Sequence, residues 1–270
     1  MNRRSTLVAM IGCVSLLLGA CNGMVSLPPP ATSTVTPSSA VAASSAPTAT
    51  PEPTASPVPS QSPPPACPNP HGGQCLGPLA AGTYSTVTFR PTISYTVPAG
   101  WGNYEDLPGN FLLIPPGGSL AGVDAGTSDY LGIYSSIALD APCTGPAPNV
   151  HGAELMAAFL SRQPEFATSN ERAVSVGRLS GSVLDIRIAK TWKTACLPGP
   201  LPNAFLMSGL PPSDFDHGLV GKLAIRLYLL NGLNDDPGEV LAIEVDDISG
   251  GGHLNGYETV VKSLGFTRGE

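Results

Sequence analysis

The chain has four histidines, the side chains best suited to acid–base chemistry near neutral pH. His71, His151, His217 and His253 each lie next to glycine or proline in segments typical of loops. No two of them recur at the spacing of metal ligands. We therefore expect surface positions for all four. A catalytic triad of His217, Asp216 and a distant serine stays open, because one sequence does not show which serine folds near His217.

The sequence signatures of common catalytic sites are missing. The chain contains no G-x-S-x-G, H-E-x-x-H, S-x-x-K, Walker A or G-x-G-x-x-G motif. The segments GRLSG at 177–181 and GLVGKL at 218–223 have similar letters at the wrong spacing. We therefore expect no cofactor and favour a non-enzymatic binding, sensing or scaffold domain. The alternative is a hydrolase acting on cell-envelope polymers, with a site assembled near residues 190–220.

The N-terminus has the pattern of an export signal that ends at a cysteine. Arg3 and Arg4 precede an uncharged apolar run over 7–18, which is too short to span a bilayer. The next residues complete the segment LGAC at 18–21, which resembles the bacterial lipobox, where the cysteine thiol is lipidated and the cysteine becomes the new N-terminus. We expect residues 1–20 to be a signal peptide and Cys21 to anchor the protein through lipid to the outer face of the bacterial membrane. The alternative is ordinary secretion, with cleavage and no lipid.

Residues 21–66 have the composition of a disordered tether. Of the forty residues from 27 to 66, twelve are proline and fourteen are serine or threonine, with Glu52 as the single charge. Such a segment has too few large apolar side chains to offset the entropy lost on ordering. Extended at up to ~3.1 Å per residue, it would hold a globular domain over 67–270 away from the membrane.

The globular part is acidic. From Gly77 onward it has eleven basic and nineteen acidic residues, a net charge of −8. This charge argues against nucleic acid as a partner and against an anionic lipid surface. Besides the membrane reached through the lipid, we expect the partner to be a protein or a small-molecule ligand.

Four further cysteines predict two disulfides. In an exported protein Cys67, Cys75, Cys143 and Cys196 meet oxidising conditions, and three pairings are possible. The short, turn-rich segment between Cys67 and Cys75 favours a local pair, which leaves Cys143 with Cys196. A zinc site of His71 with the first two cysteines is the alternative. We expect no metal, because the spacing lacks a C-x-x-C pair.

Two other groups of residues could contact a ligand. Trp101 follows a predicted strand and is expected in the core, whereas Trp192 begins an irregular passage and is the candidate ligand-facing aromatic. An acidic cluster in a predicted turn could bind calcium, although a solvated turn is favoured because EF-hand spacing is absent. That cluster comprises Asn234, Asp235, Asp236 and Glu239.

Hydrophobic periodicity predicts the elements that position these residues. Alternating or apolar runs predict strands at 83–101 with a break at Pro91, within 110–118 where a Pro-Gly turn ends the strand, at 130–139, and at 173–189 with a bend at Gly181. Two apolar strands around a polar turn predict a hairpin over 222–248. Helical spacing predicts helices over 153–163 and 254–266. Their expected buried faces are Leu155, Met156, Phe159 and Leu160 in the first, and Tyr257, Val260, Val261 and Leu264 in the second.

This order of elements predicts an α+β fold in which helices pack on an antiparallel β-sheet. The segments TVPAGW at 96–101, VSVGRLSG at 174–181 and VVKSLGF at 260–266 resemble exported lipoprotein domains of actinobacteria and chloroflexi. More remotely, they are similar to the Mog1/PsbP-like α/β/α sandwich. The resemblance spans about residues 82–267 and implies a fold that serves binding and assembly. It transfers no functional residue.

Overall fold

The computed structural model describes residues 76–141, 143–147, 150–211, 213, 215–232 and 239–267. The predicted signal peptide, Cys21, the tether, His71 and the Cys67–Cys75 pair lie outside the described residues, as do three residues of the acidic turn. Within the described part, no helix has the length and apolar character needed to cross a bilayer.

Short and medium-length antiparallel strands make up about half of the described chain. In chain order the strands are β1 (Gly77–Pro78), β2 (Gly82–Ser85), β3 (Thr92–Val97), β4 (Gly102–Leu107), β5 (Asn110–Ile114), β6 (Tyr130–Tyr134), β7 (Ile137–Ala141), β8 (Gly145–Pro146), β9 (Phe166–Val176), β10 (Leu179–Ile188), β11 (Asn203–Gly209), β12 (Asp216–Val220), β13 (Ala224–Asn231), β14 (Val240–Asp247) and β15 (Gly265–Thr267). The helices are α1 (Leu120–Asp124), α2 (Ala153–Leu160), a 3₁₀ helix (Leu254–Tyr257) and α3 (Glu258–Ser263).

The strands form three sheets. The largest has eight strands in the order β1-β4-β5-β6-β14-β13-β10-β9. A four-stranded sheet has the order β12-β11-β7-β8, and a three-stranded sheet has the order β15-β3-β2. All the pairs of named strands are antiparallel, which confirms the antiparallel sheet predicted from the sequence.

The strand β14 lies in the middle of the large sheet and is buried on both faces. Leu241, Ile243 and Val245 belong to one hydrophobic core, and Val240 and Ala242 belong to the other. The alternation follows from the two-residue period of a strand. The hairpin of β13 and β14 was predicted from the sequence and is confirmed.

The two cores lie on opposite faces of the large sheet. The first also contains apolar residues of β2, β3 and β15, together with the 3₁₀ helix and α3. The second also contains residues of α2, β7, β11 and β12. Trp101 is 6 % exposed in the first core and meets the Tyr257 ring edge to face at 5.5 Å, which confirms its predicted core position.

The helices are shorter than predicted, and one buries a different face. In α2 the buried residues are Ala153, Met156, Ala157 and Leu160, whereas Leu155 is 63 % exposed. The prediction of Leu155 in the buried stripe was wrong because the small residues Ala153 and Ala157 let α2 pack against β10 and β13.

At the C-terminal end, the segment 254–266 divides into the 3₁₀ helix, α3 and then β15, rather than forming one helix. Its four predicted core residues are all buried, because the helical turns that carry them do form.

Two predicted strands also differ from the structure. The segment 130–139 forms β6 and β7, which belong to different sheets, because the chain turns at Ser135 and Ser136. The turn between β9 and β10 falls at Gly177 and Arg178, not at Gly181. Gly181 instead lies where a Cβ would overlap the Leu229 carbonyl oxygen on β13. Close approach of two backbones, and not a bend, requires glycine there.

A disulfide joins Cys143 and Cys196, as the pairing analysis predicted. The bond links the end of β7 to the segment that precedes β11, and these two strands pair in the four-stranded sheet. The chain-entropy model gives ~4 kcal/mol for a loop of this length.

A buried ion pair fixes the far half of the large sheet. Arg226 Nε lies 2.7 Å from Asp185 Oδ1, and Nη2 lies 3.0 Å from Oδ2, so the contact is bidentate. Asn170 donates to the same carboxylate at 2.7 Å, and Arg226 Nη1 donates to Asn255 Oδ1 at 2.8 Å. The pair thereby ties β9, β10 and β13 to the 3₁₀ helix.

We predict that Arg226→Ala lowers the free energy of unfolding by about 3–5 kcal/mol, because the substitution leaves a buried carboxylate without its cation. Denaturant unfolding of the variant measures the loss. Arg162→Ala, which removes an exposed arginine at the end of α2, is the matched control and should change stability by less than ~0.5 kcal/mol. Equal effects of the two substitutions would contradict this account of the ion pair.

Candidate functional site

A cleft of about 810 Å³ lies beside one end of the large sheet. Its lining comes from α1 and the turn after it, from β12 and the turn after it, from residues near 197–201, and from the ends of β6 and β14. Much of the lining is aliphatic, from Val123, Leu197, Leu201, Val220, Leu223 and Ile248. The volume lies within the range of sites for small organic ligands.

Strand register brings the polar residues of the cleft together. Asp246 of β14 lies directly opposite Tyr130 of β6, and Glu244 lies opposite Gly132. These residues continue the face of β14 that carries Val240 and Ala242 in the second core. The same strand face therefore changes from apolar to acidic where it reaches the cleft.

Gly132 makes room for an aromatic side chain beside Glu244. A Cβ at this position would overlap the hydroxyl and ring atoms of Tyr134. The Tyr134 ring lies 4.8 Å from the His217 ring and 4.6 Å from the Phe215 ring. These aromatic groups surround the imidazole and restrict its orientation.

The centre of the site is a histidine–carboxylate pair. His217 Nδ1 of β12 lies 2.7 Å from Oε2 of Glu244, which is 1 % exposed. The Tyr130 hydroxyl donates to the other carboxylate oxygen at 3.3 Å. Because Nδ1 faces Glu244, the remaining ring nitrogen of His217 is the one available to a ligand. The imidazole side chain is 22 % exposed and lines the cleft.

Opposite charges stabilise this pair against the cost of burial. Burial alone would lower the pKa of His217, but the ionised Glu244 beside it outweighs burial and raises that pKa above its ordinary value. Burial alone would raise the pKa of Glu244, but the imidazolium charge and the side-chain hydrogen bonds of His217, Asp246 and Tyr130 together lower it. At neutral pH Glu244 is therefore ionised.

Asp246 behaves differently although it is two residues away. Burial and the ionised Glu244 hold the pKa of Asp246 well above its ordinary value. Burial, followed by the charges of Asp246 and then Glu244, also raises the pKa of Tyr130. Two neighbouring carboxyl groups whose pKa values shift in opposite directions can act as an acid and a base. Here Asp246 would be the acid and Glu244 the base.

The structure corrects one expectation about the histidines. His151 and His253 are exposed, as predicted. The prediction of a surface position for His217 was wrong, because β12 places it against the buried Glu244 of β14. The open triad with Asp216 does not form either, since His217 Nδ1 is bonded to Glu244 and Asp216 is exposed.

The Trp192 side chain makes a hydrogen bond to the backbone within the chain. Its indole nitrogen donates to the Asn203 carbonyl oxygen at 3.0 Å, and the side chain is half-buried. Trp192 is not one of the described residues that line the cleft. Its contact with a ligand stays a prediction.

A second cluster of Asp129, Asp247 and His253 places potential metal-ligating atoms within 4.8 Å of one another. Asp247 accepts from Ser249 and from the His253 backbone N–H, and Asp129 accepts from the Ile248 N–H at 2.9 Å. These bonds satisfy backbone donors of the glycine-rich loop at 248–253. Loop fixation therefore accounts for the cluster.

The residues of this site have only a weak signal in the sequence. The residues Glu244 and Asp246 alternate with apolar residues on a strand predicted to be buried, which marks them as buried carboxylates. A buried carboxylate needs donors. The identity of those donors, His217 and Tyr130, depends on the arrangement of the sheets and could not be read from spacing.

No protein-family model matches this chain, and no curated protein matches it. A solved structure from Bacteroides thetaiotaomicron is similar over 65 % of this chain and 45 % of its own length, at 11 % sequence identity and a TM-score of 0.34. The chain thus spans less than half the length of that protein, and the similarity carries no argument about the site.

We predict that the His217–Glu244 pair stabilises the fold most between about pH 4.5 and 6.5. A lowered carboxyl pKa gives stability that is lost as pH falls below this window, and a raised imidazole pKa gives stability that is lost as pH rises above it. His217→Gln should cost about 2 kcal/mol inside the window and less outside it. Urea unfolding at a series of pH values measures this.

The exposed His151→Gln is the matched control for that series, with an expected effect below ~0.5 kcal/mol throughout. A cost of His217→Gln that does not vary with pH would show that the imidazole contributes packing and not charge.

Proposed function

We propose that this protein is a lipid-anchored, extracytoplasmic binding protein of a bacterial membrane, and that the cleft beside β12 and β14 is its ligand site. The observation that carries the proposal is the cleft itself. It combines an aliphatic lining with a cluster of three polar side chains, those of Tyr130, His217 and Asp246. The buried Glu244 is hydrogen-bonded to the first two of them.

The chemistry of the cleft supports binding of a small organic molecule. Sites of this kind are mostly apolar and carry a few convergent polar groups that fix the ligand's orientation. The aliphatic lining would contact the apolar part of the ligand, and the cluster of polar side chains would bind its polar end. The polar residues lie on the strands β6, β12 and β14, whereas the aliphatic lining comes from α1, the end of β12 and the adjoining turns and loops.

The location is proposed from the sequence. The segment LGAC at 18–21 supports lipidation at Cys21, and the proline-rich composition of 21–66 supports a disordered tether. The Cys143–Cys196 disulfide is in keeping with an oxidising compartment. The relation to the Mog1/PsbP-like α/β/α sandwich is likewise part of the proposal, since helices pack on each side of the large sheet.

A hydrolase is the second candidate, and the His217–Glu244 pair favours it. A carboxylate on Nδ1 is the arrangement that orients a general-base histidine towards substrate. Ser128 also lines the cleft, but its Oγ accepts the Ser119 N–H at 3.2 Å, and no described contact joins it to His217. Turnover of esters, peptides or glycans by the full chain, lost in His217→Gln, would establish this candidate.

We predict that Cys21 is the site of lipid attachment. The full chain expressed in a bacterial host should incorporate a palmitate analogue and fractionate with membranes. Cys21→Ala should abolish both properties, because the thiol that receives the lipid is gone. Cys13→Ala, within the predicted signal peptide, is the matched control and should leave both unchanged. Labelling that survives Cys21→Ala would contradict the anchor.

We predict that the cleft binds a neutral apolar probe. The full chain carrying Cys21→Ala should bind one equivalent of Nile red, measured by fluorescence titration. Adding Val220→Trp should weaken binding at least about tenfold, since the indole would fill the cleft that Val220 lines.

The matched control for that substitution is Val87→Trp, at a comparably exposed valine outside the cleft lining. Failure of the full chain to bind the probe, or equal binding by both tryptophan variants, would remove the cleft as the ligand site.

A further inference from the structure

We propose that the cleft selects amphipathic primary amines, with the ammonium group held by Asp246 and the apolar body held by the aliphatic lining. This inference rests on the proposed function of the cleft as a ligand site, and it specifies the chemical class of the ligand.

Asp246 provides the first argument. Its side chain lines the cleft and is 4 % exposed, and Oδ1 has no hydrogen-bond partner among the described residues. Buried polar atoms in folded proteins are nearly always paired, because an unpaired one loses its hydration without compensation. A donor from a ligand in the cleft would satisfy this atom. An ammonium group supplies three such donors.

The charges around the cleft provide the second argument. Asp124, Asp216 and Asp246 line it, and Glu105 lies close enough to Asp124 and His217 for their charges to shift its pKa. Glu244 lies directly behind His217. Against these carboxyl groups the described lining offers His217 and the exposed Lys222. The local potential is therefore negative even while Asp246 is protonated, and it favours a cation over an anion.

Tyr130 provides the third argument. It lies opposite Asp246 in the sheet and also lines the cleft, so its ring and the carboxyl group stand side by side at the same end. An aromatic face attracts an ammonium group by about 0.5–2 kcal/mol, depending on how far the site excludes water. A carboxyl group beside an aromatic ring thus distinguishes an amine from an alcohol of the same length.

A positively charged ligand is also compatible with the protonation state of Asp246. The charged and titratable groups that act on Asp246 are Glu244 of β14, Tyr130 of β6 and Asp129, which precedes β6. Burial next to the ionised Glu244 keeps Asp246 protonated when no cation is bound. An arriving ammonium group would take the place of that proton and leave the total charge of the site unchanged.

The test compares three probes of equal chain length on the full chain carrying Cys21→Ala. These are n-octylamine, which is cationic at pH 7, neutral 1-octanol and anionic octanoate. Competition with Nile red measures all three in low salt. We expect octylamine to bind at least about tenfold more tightly than octanol, and octanoate to bind more weakly than octanol.

Substitutions then locate the ammonium group. Asp246→Asn should reduce octylamine affinity about tenfold or more and leave octanol affinity within about twofold, because the asparagine keeps the shape of the side chain. Asp216→Asn, at an exposed position, should reduce octylamine affinity by a smaller factor and provides the test if the buried variant fails to fold. Glu171→Gln, on the distant edge strand β9, is the charge-matched control and should change neither affinity.

The outcomes separate the two proposals. Octanol or octanoate binding as tightly as octylamine, or octylamine affinity that neither aspartate variant lowers, would overturn the selection of amines and leave the cleft as a ligand site. Absence of binding by Nile red and by all three probes would overturn the proposed function itself.

Discussion

The burial of the Glu244 carboxylate is the interaction on which the site depends. An ionised carboxylate in the interior is costly unless donors surround it, and here His217 and the Tyr130 hydroxyl supply them. Each donor comes from a different strand, β12 and β6 respectively. Satisfying this one group therefore fixes the four-stranded sheet against the large sheet at the place where the cleft lies. The contacts that form the site therefore also hold the fold together.

The architecture explains why the site lies at an end of the sheet. In a central strand that is buried on both faces, successive apolar side chains point alternately into the two cores, as they do in β14 from Val240 to Ile243. The second face then continues as Glu244 and Asp246, where apolar packing from the four-stranded sheet gives way to the cleft. The opposite face keeps Val245 in the first core. One strand thus contributes to both cores and to the polar end of the site.

The sequence predicted the parts of the fold that depend on local pattern. The β13–β14 hairpin, the core position of Trp101 and the buried face of Tyr257 to Leu264 follow from periodicity, and the disulfide follows from cysteine spacing. The division of 130–139 between two sheets depends on long-range pairing and was not predicted, and the strands β4 and β11 and the helix α1 were missed. His217 was misplaced for the same reason, since its partner is distant in the chain.

The site depends on opposite protonation of two carboxyl groups on one strand face, with Glu244 ionised while Asp246 is protonated. The most direct measurement is a carbon-13 NMR titration of the side-chain carboxyl groups of the full chain, with signals assigned through Asp246→Asn. The account predicts that the Glu244 carboxyl stays ionised to below its ordinary pKa, while the Asp246 carboxyl stays protonated well above its own. Two carboxyl groups that both titrate at their ordinary values would contradict it.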